Sequence, residues 1–369
     1  MLGFRNLLRR KVRSALTLIG IAVAVATIVS LIAISRGFRK QFNNLLSVGD
    51  AHLVLSRKGA PDPFISYLPE SLLSDLSVFP GVAEVYPSIL GIAQIPRQPF
   101  FFLYGTVAGS PLLEQVRVIA GEELFAPGAD QPRLCLGRSA AEYLEQELGS
   151  TITLGDQEYE VTGIFEAPTP LLGSGALLPL ADAQRIAGLE GKLSEVLVQL
   201  ESFTPEDLAA AESALEQRFP EVEAIEPAEF TKAFMEFDLA DQAVAFFSIL
   251  AVIVGGIGVM NTMLMSVFER TRELGILQAI GWSKAMILRL VLEEGLLLCL
   301  AGGPAGIALG VASIEAVGAW GQFSWVAGDY GPALFVEAMI VAVGMGLLGT
   351  FYPALRAVRI TPIEALRYE

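Results

Sequence analysis

Ala243-Val-Ala-Phe-Phe-Ser-Ile-Leu-Ala-Val-Ile-Val-Gly-Gly-Ile-Gly-Val-Met-Asn-Thr-Met-Leu-Met-Ser-Val-Phe268 runs for 26 residues without a charge. A helix needs roughly 20 apolar residues to cross a bilayer, so this stretch is long enough to span one. Three further runs match it. Ala15 to Ser35 is uncharged over 21 residues, Gly295 to Ile314 is uncharged after Glu294, and Ala333 to Leu355 is interrupted only by Glu337. One run lies near the N-terminus and three in the last third. Between the first and second lie about two hundred residues polar enough to fold in water. The spacing predicts an α-helical membrane protein with four transmembrane helices and one large extramembrane domain.

Composition agrees. Apolar residues make up 53% of the chain and charged residues 18%, against roughly 25% charged in an average soluble domain. This hydropathy excludes an ordinary cytosolic enzyme. The net charge of -15 is unevenly distributed. Arg5, Arg9, Arg10, Lys11 and Arg13 precede the first run without an acid; Arg270, Arg272, Lys284 and Arg289 lie between the second and third; Arg356, Arg359 and Arg367 follow the fourth. Basic loops stay in the cytoplasm. Residues 36–242 instead hold 13 basic against 31 acidic side chains, and the loop after the third run carries Glu315 and Asp329 without Lys or Arg. Both termini are therefore expected in the cytoplasm, with the large domain outside.

A cleaved signal peptide competes for the N-terminus, but its apolar core runs to roughly 7–15 residues. The 21 residues here, ending in Ile34-Ser35-Arg36, fit an uncleaved span better. Cys135 falls in the outer domain and Cys299 in a span, which gives no disulfide framework or metal site. His52 is the single histidine, read as a solvated loop residue. No catalytic cluster can be assembled around it, and an autonomous membrane enzyme is disfavoured. No internal repeat is present.

The outer segment reads as mixed α and β. Strands are predicted at Ala51–Ser56, Val82–Ile95, Phe100–Val107, Arg133–Gly137, Thr151–Leu154, Glu158–Phe165 and Glu195–Leu200, rich in branched or aromatic residues between turn formers. Thr204-Pro205-Glu206-Asp207 opens a helix reaching Phe219-Pro220, with a capping hydroxyl, Pro at the first position and acids in the first turn. Pro69–Leu76 and Arg138–Leu148 are shorter helical candidates. Lys58–Pro63, Pro127–Pro132 and Pro168–Gly175 are predicted loops; the last is partly apolar, tucked against its own domain or open to a ligand.

In the spans, Gly302, Gly306 and Gly310 form a small-residue stripe at four-residue spacing beside Gly303 and Pro304, and Gly255, Gly256 and Gly258 interrupt the second span. Such stripes suit close helix packing rather than a polar channel. Glu293, Glu294 and Glu337 fall near span ends and read as interfacial, which is too little midplane charge for ion-coupled transport.

After the second span comes Glu269-Arg-Thr-Arg-Glu-Leu-Gly-Ile-Leu-Gln-Ala-Ile-Gly-Trp282, a short charged helix with Leu274, Ile276, Leu277 and Ile280 available to pack. It is similar to the ERTREIGI-x-x-AIGA signature of the MacB/LolC/FtsX-like ABC transporter permease family. Asn6 to Ile21 resembles that family's amphipathic N-terminal helix, and Tyr352 to Arg367 resembles its C-terminal ending. Leu277-Gln278 replaces a basic pair common in the family, and Trp282 stands where a small residue is usual.

The resemblance implies a division into a cytoplasmic amphipathic helix (1–14), a first span (15–36), an extracytoplasmic domain (37–242), a second span (243–268), a coupling region (269–285), a third span (286–314), an outer loop (315–332), a fourth span (333–355) and a tail (356–369). Within the outer domain it implies porter-like halves at about 43–104 and 191–230 around a β-rich insert at about 105–190. It implies a permease in the bacterial cytoplasmic (inner) membrane that works by mechanotransmission, passing the closure of an ATPase dimer to the outer domains to export a drug, peptide, lipid or other envelope cargo. Two other family roles remain open: lipoprotein or lipid extraction, and FtsX-like control of a cell-wall hydrolase or sensor without transport. By position, Glu269, Arg270, Arg272, Glu273, Leu274, Gly275, Ile276 and Gly281 would couple to the ATPase. The sequence has no G-x-x-x-x-G-K-[ST] loop. ATP and Mg are thus expected on a partner ABC ATPase, with no cofactor, metal or catalytic residue in this chain. The other expected partners are a second permease chain, preferably identical, membrane lipid, and a periplasmic adaptor with an outer-membrane duct, but no nucleic acid.

Overall fold

The computed structural model describes residues 11–47, 51–95, 98–125, 133–202 and 204–360. Residues 1–10 of the expected cytoplasmic helix (1–14), the connector Pro127–Pro132 and the tail beyond Ile360 lie outside the described residues. The chain divides into two compact units. A helical unit draws on Met1–Ser35, Gln242–Glu315 and Gly328–Glu369, and an α/β unit on Arg36–Asp241 and Ala316–Ala327.

Along the chain, α1 (Lys11–Leu46) is followed by β1 (Leu53–Arg57), β2 (Leu68–Pro69), α2 (Leu72–Leu76) and the long hairpin β3 (Val82–Ile95) and β4 (Gln98–Thr106). Next come α3 (Pro111–Gln115), β5 (Arg117–Gly121), β6 (Arg133–Gly137), α4 (Arg138–Leu144), β7 (Thr151–Leu154) and β8 (Gln157–Glu166). The unit closes with α5 (Pro170–Gly173), β9 (Ala176–Pro179), α6 (Leu180–Ala187), β10 (Lys192–Leu193), β11 (Glu195–Leu200), α7 (Pro205–Arg218) and β12 (Val222–Ile225).

Ten of these strands form one sheet in the order β12-β1-β11-β3-β4-β9-β6-β8-β5, with β7 paired to β8. Most pairs are antiparallel, but β4–β9 and β6–β8 are parallel, so the sheet is mixed. Its strands alternate between two apolar cores. Leu53, Leu55, Leu134, Leu136, Val196 and Val198 pack on one face with Leu72 and Leu76 of α2 and Leu208 and Leu215 of α7. Val54, Cys135 and Leu197 point to the other face, among Phe42, Leu45, Phe230 and Phe234. A sheet covered on both faces explains why these strands read as continuous apolar runs. The segment Ala316–Ala327 belongs to this unit: Trp325 stacks edge-on against Phe38 and Phe102, and its carbonyl accepts from Gln41 Nε2 at 3.2 Å.

Local chemistry fixes several boundaries. Thr204 Oγ1 accepts the Asp207 amide at 3.2 Å, so the expected cap forms at the start of α7. α4 ends at Leu144, not Leu148, because Glu145 turns left-handed (φ 53) and the Gln146 amide bonds back to Ala141. Pro69 pairs in β2 with β10 instead of starting a helix, and α2 begins only at Leu72. Pro168–Gly175 is not an open loop: Thr169 caps α5, whose Leu171 and Leu172 are buried. His52 is no solvated loop residue either. Its amide bonds to Val198, and its Nδ1 accepts the Leu200 amide at 3.0 Å beyond the end of the β1–β11 ladder.

The remaining helices are α8 (Met235–Glu269), α9 (Thr271–Ala279), α10 (Lys284–Gly318) and α11 (Pro332–Arg359). α1, α8, α10 and α11 are each long and apolar enough to cross a membrane. α1 extends further than the uncharged run of the first expected span: it continues ten residues past Arg36, so it contributes to both units, as α8 does from Met235. Pro304 and Pro353 are both accommodated inside helices.

Candidate functional site

The charged segment after α8 forms α9. At the junction Arg270 leaves helical geometry (φ -111, ψ 13), and Thr271 Oγ1 bonds the Phe268 carbonyl at 2.8 Å, satisfying an end group of α8. At the far end the Trp282 amide bonds back to Leu277 and the Gly281 amide to Gln278. Gly281 has φ 104, a conformation side chains rarely adopt, so its role is to stop the helix before Ser283 begins α10.

α9 has two faces. Glu269, Arg272, Glu273, Ile276 and Ile280 are exposed at helical spacing, with Ile280 74% accessible. Thr271, Leu274 and Gly275 are buried, Leu274 to 2%. Of the eight residues expected to touch an ATPase, Leu274 and Gly275 therefore face the helical unit's own interior. Ile280, one of the apolar groups the sequence makes available to pack, is the most accessible of them.

Arg270 is also turned inward. Its Nη1 donates to Glu294 Oε1 at 2.6 Å and its Nε to Glu273 Oε2 at 3.1 Å, while its side chain is 14% exposed and that of Glu294 5%. Glu294 is thus not an ordinary interfacial carboxylate. It sits about 15 Å along α10 by helical rise, where it anchors the junction of α8 and α9 to α10. Glu293 differs: it is exposed and receives Arg289 Nε one turn away at 2.7 Å.

The glycine stripe of α10 lies against α1. A Cβ on Gly302 would come within 2.7 Å of Ile21, one on Gly306 within 2.6 Å of Val25, and one on Gly310 within 3.0 Å of the Ala26 carbonyl. Close packing continues at glycines without regular spacing: a Cβ on Gly295 would meet Thr350, and one on Gly349 the Gly256 carbonyl. Thr17 and Thr262 are hydrogen-bonded at 2.9 Å between α1 and α8. Gly258, by contrast, faces open space.

Among its described residues the α/β unit buries one carboxylate of its own. Glu195, at the start of β11, is fully enclosed; its Oε1 accepts Ser88 Oγ at 3.0 Å and Tyr104 OH at 3.1 Å, while Oε2 has no hydrogen-bond partner among the described residues. Burial pushes its pKa up to about 7 against the lowering effect of both hydroxyls. No group of three or more His, Cys, Asp or Glu positioned for a metal ion occurs among the described residues.

Four apolar helices, a two-sided α/β unit and a short helix braced against the third of the long helices define a membrane protein of the permease class. Residues 14–218 match the MacB-like periplasmic core domain, and residues 245–362 match the FtsX-like permease C-terminal domain. The chain belongs to the MacB-like family of ABC transporter permeases. It is 31% identical over 404 residues to the macrolide export ATP-binding/permease protein MacB of Rhodospirillum rubrum, covering 99% of this chain and 59% of that one. It is 29% identical over 414 residues to MacB of Bdellovibrio bacteriovorus, covering 100% and 61%. The chain thus spans about three fifths of the length of these curated relatives. The crystal structure of the periplasmic region of MacB from Actinobacillus actinomycetemcomitans aligns over 55% of this chain and 96% of that one, at 15% identity and a TM-score of 0.39.

Proposed function

We propose that residues 1–369 are the permease part of an ATP-driven ABC transporter in a bacterial inner membrane, with both termini cytoplasmic and the α/β unit outside. The observation that carries this reading is the two-faced α9. Its exposed side presents Arg272, Glu273, Ile276 and Ile280 to a partner, while its inner side is fixed by Leu274 and by the Arg270–Glu294 pair. A helix mounted this way transmits a push on its outer face to α8 and α10 instead of yielding locally. Because α1 and α8 each contribute to both units, helix movement reaches the α/β unit along continuous backbone. ATP and Mg are bound by an ABC ATPase outside these residues, and the work is done by the α/β unit on a drug, peptide, lipid or other envelope cargo, with a periplasmic adaptor and outer-membrane duct as further partners.

The functional unit is a pair of identical chains. Support comes from α8, the least buried of the four long helices, and from an apolar groove of about 970 Å3 lined by Gly20, Val23, Leu250, Val254 and Gly258. Small residues at a lipid-facing groove favour helix association.

The test uses the chain in lipid nanodiscs with the ABC ATPase recovered from its native membrane. Arg272→Ala with Ile276→Ser and Ile280→Ser, all at exposed positions, is expected to abolish ATPase recruitment and stimulated hydrolysis while leaving thermal stability unchanged. Full stimulation by that variant would remove the assignment.

A further inference from the structure

The α/β unit contains a cavity of about 330 Å3 beside the short helix α3. That volume lies at the small end of the roughly 300–1,000 Å3 range of ligand pockets. Its floor is apolar and rigid: Leu124, Cys135, Phe165 and Leu177 are all buried, and the last three stand on neighbouring strands of the sheet. Its walls, Leu113 and Phe125 among them, are only partly covered.

Two polar features aim this space at a particular chemistry. Ser110, 1% exposed, precedes α3 at the capping position yet makes no capping bond, and its Oγ has no hydrogen-bond partner among the described residues. A buried hydroxyl in that condition calls for a partner that the protein itself does not supply. Glu114 and Glu123 line the same cavity and are exposed at its edge. The nearby cations are already engaged: Arg117 and Arg138 pair with Glu166, and Arg133 pairs with Glu122 at 3.2 Å.

We infer that this cavity is a binding site for a small organic cation with an apolar body: the hydrocarbon part fills the space over Phe165 and Leu177, an ammonium lies between Glu114 and Glu123, and a polar group reaches Ser110. A neutral apolar molecule satisfies the floor but not the carboxylates, and an anion is repelled by them. The site is separate from α9, and its occupancy does not depend on the reading of ATPase coupling.

The experiment titrates the full chain in zwitterionic lipid nanodiscs with three fluorescent probes of one shape: naphthylethylamine, naphthylethanol and naphthylpropionate, each corrected with empty nanodiscs. No ATP or ATPase is present, so failure here leaves the proposed function intact. Saturable binding of the amine about five- to tenfold tighter than the alcohol is expected, as two exposed carboxylates provide, with the acid weakest. Glu114→Gln with Glu123→Gln should bring amine and alcohol to equal affinity, and Leu113→Trp, which narrows the entrance, should weaken both. Equal affinity for all three probes, binding no greater than to empty nanodiscs, or a charge preference that survives loss of both carboxylates would overturn the proposal.

Discussion

The two units bury different things. In the α/β unit the interior is filled by bulk, with Phe101, Tyr159, Phe165 and Phe230 among its largest enclosed side chains. In the helical unit the tightest contacts are made by what is missing: Gly295, Gly302, Gly306 and Gly349 leave room for the neighbouring helix. The reason is the solvent. Water drives large apolar side chains together, whereas lipid offers no such gain and helices associate through close backbone packing. Among the described residues each unit also encloses one carboxylate, and again by opposite means: Glu294 has an arginine, while Glu195 has two hydroxyls and, among those residues, no countercharge.

This contrast assigns opposite vulnerabilities. Gly306→Leu should have the largest effect, because even its Cβ would collide with Val25 and with the Ala22 carbonyl; little folded protein is expected in membranes, whereas Gly344→Leu, where a Cβ would meet nothing within 4 Å, should accumulate normally. In the α/β unit the damaging direction is reversed. Phe101→Ala should cost about 3–5 kcal/mol by leaving a cavity, measured by denaturant unfolding in nanodiscs; a cost under about 1 kcal/mol would mean that this core is loosely packed.

The two carboxylates should respond with opposite sign. Glu294→Gln leaves Arg270 buried with only Glu273, and breaking such a pair costs about 3 kcal/mol or more. Glu195→Gln should instead stabilise above neutral pH. The folded-state pKa of Glu195, about 7, lies above the unfolded value near 4.3. The folded chain therefore holds a proton that the unfolded chain has lost, and stability declines as pH rises between those values, by about 4 kcal/mol in all. In the Gln variant that decline should vanish, as melting curves from pH 4 to 8 would report; an unchanged slope would mean that Glu195 does not govern it. The smallest effect belongs to the surface of α7: Thr204→Ala removes a cap worth about 1 kcal/mol and should lower the melting temperature slightly without touching the helical unit.

Much of the fold was legible because its signals are local. Four apolar runs mark the long helices, and strands such as Val82–Ile95 and Arg133–Gly137 show both branched residues and turn formers at their ends. β9 and β5 escaped because their strand character comes from partners: four residues after a Pro-rich connector become a strand only by pairing with β4 and β6. The position of α9 was legible from its charges, yet its orientation was not. Leu274, Ile276, Leu277 and Ile280 distribute apolar groups around the helix, so the sequence holds no clear stripe to tell the inner face from the outer. Arg270 likewise reads as one more surface charge until Glu294, 24 positions away, is brought beside it. Glu195 stands at the start of a strand, where a carboxylate would ordinarily meet water; β3 and β4 close over it.

Cysteine crosslinking reads directly which face of α9 meets an ATPase. In a background carrying Cys135→Ser and Cys299→Ser, Ile276→Cys, Ile280→Cys and Leu274→Cys are introduced singly and treated with a short bifunctional maleimide in native membranes. Capture of an ABC ATPase from positions 276 and 280, and none from 274, is the expected result. Equal capture from position 274, or none from the exposed pair while the complex is otherwise intact, would contradict the two-faced mounting of α9.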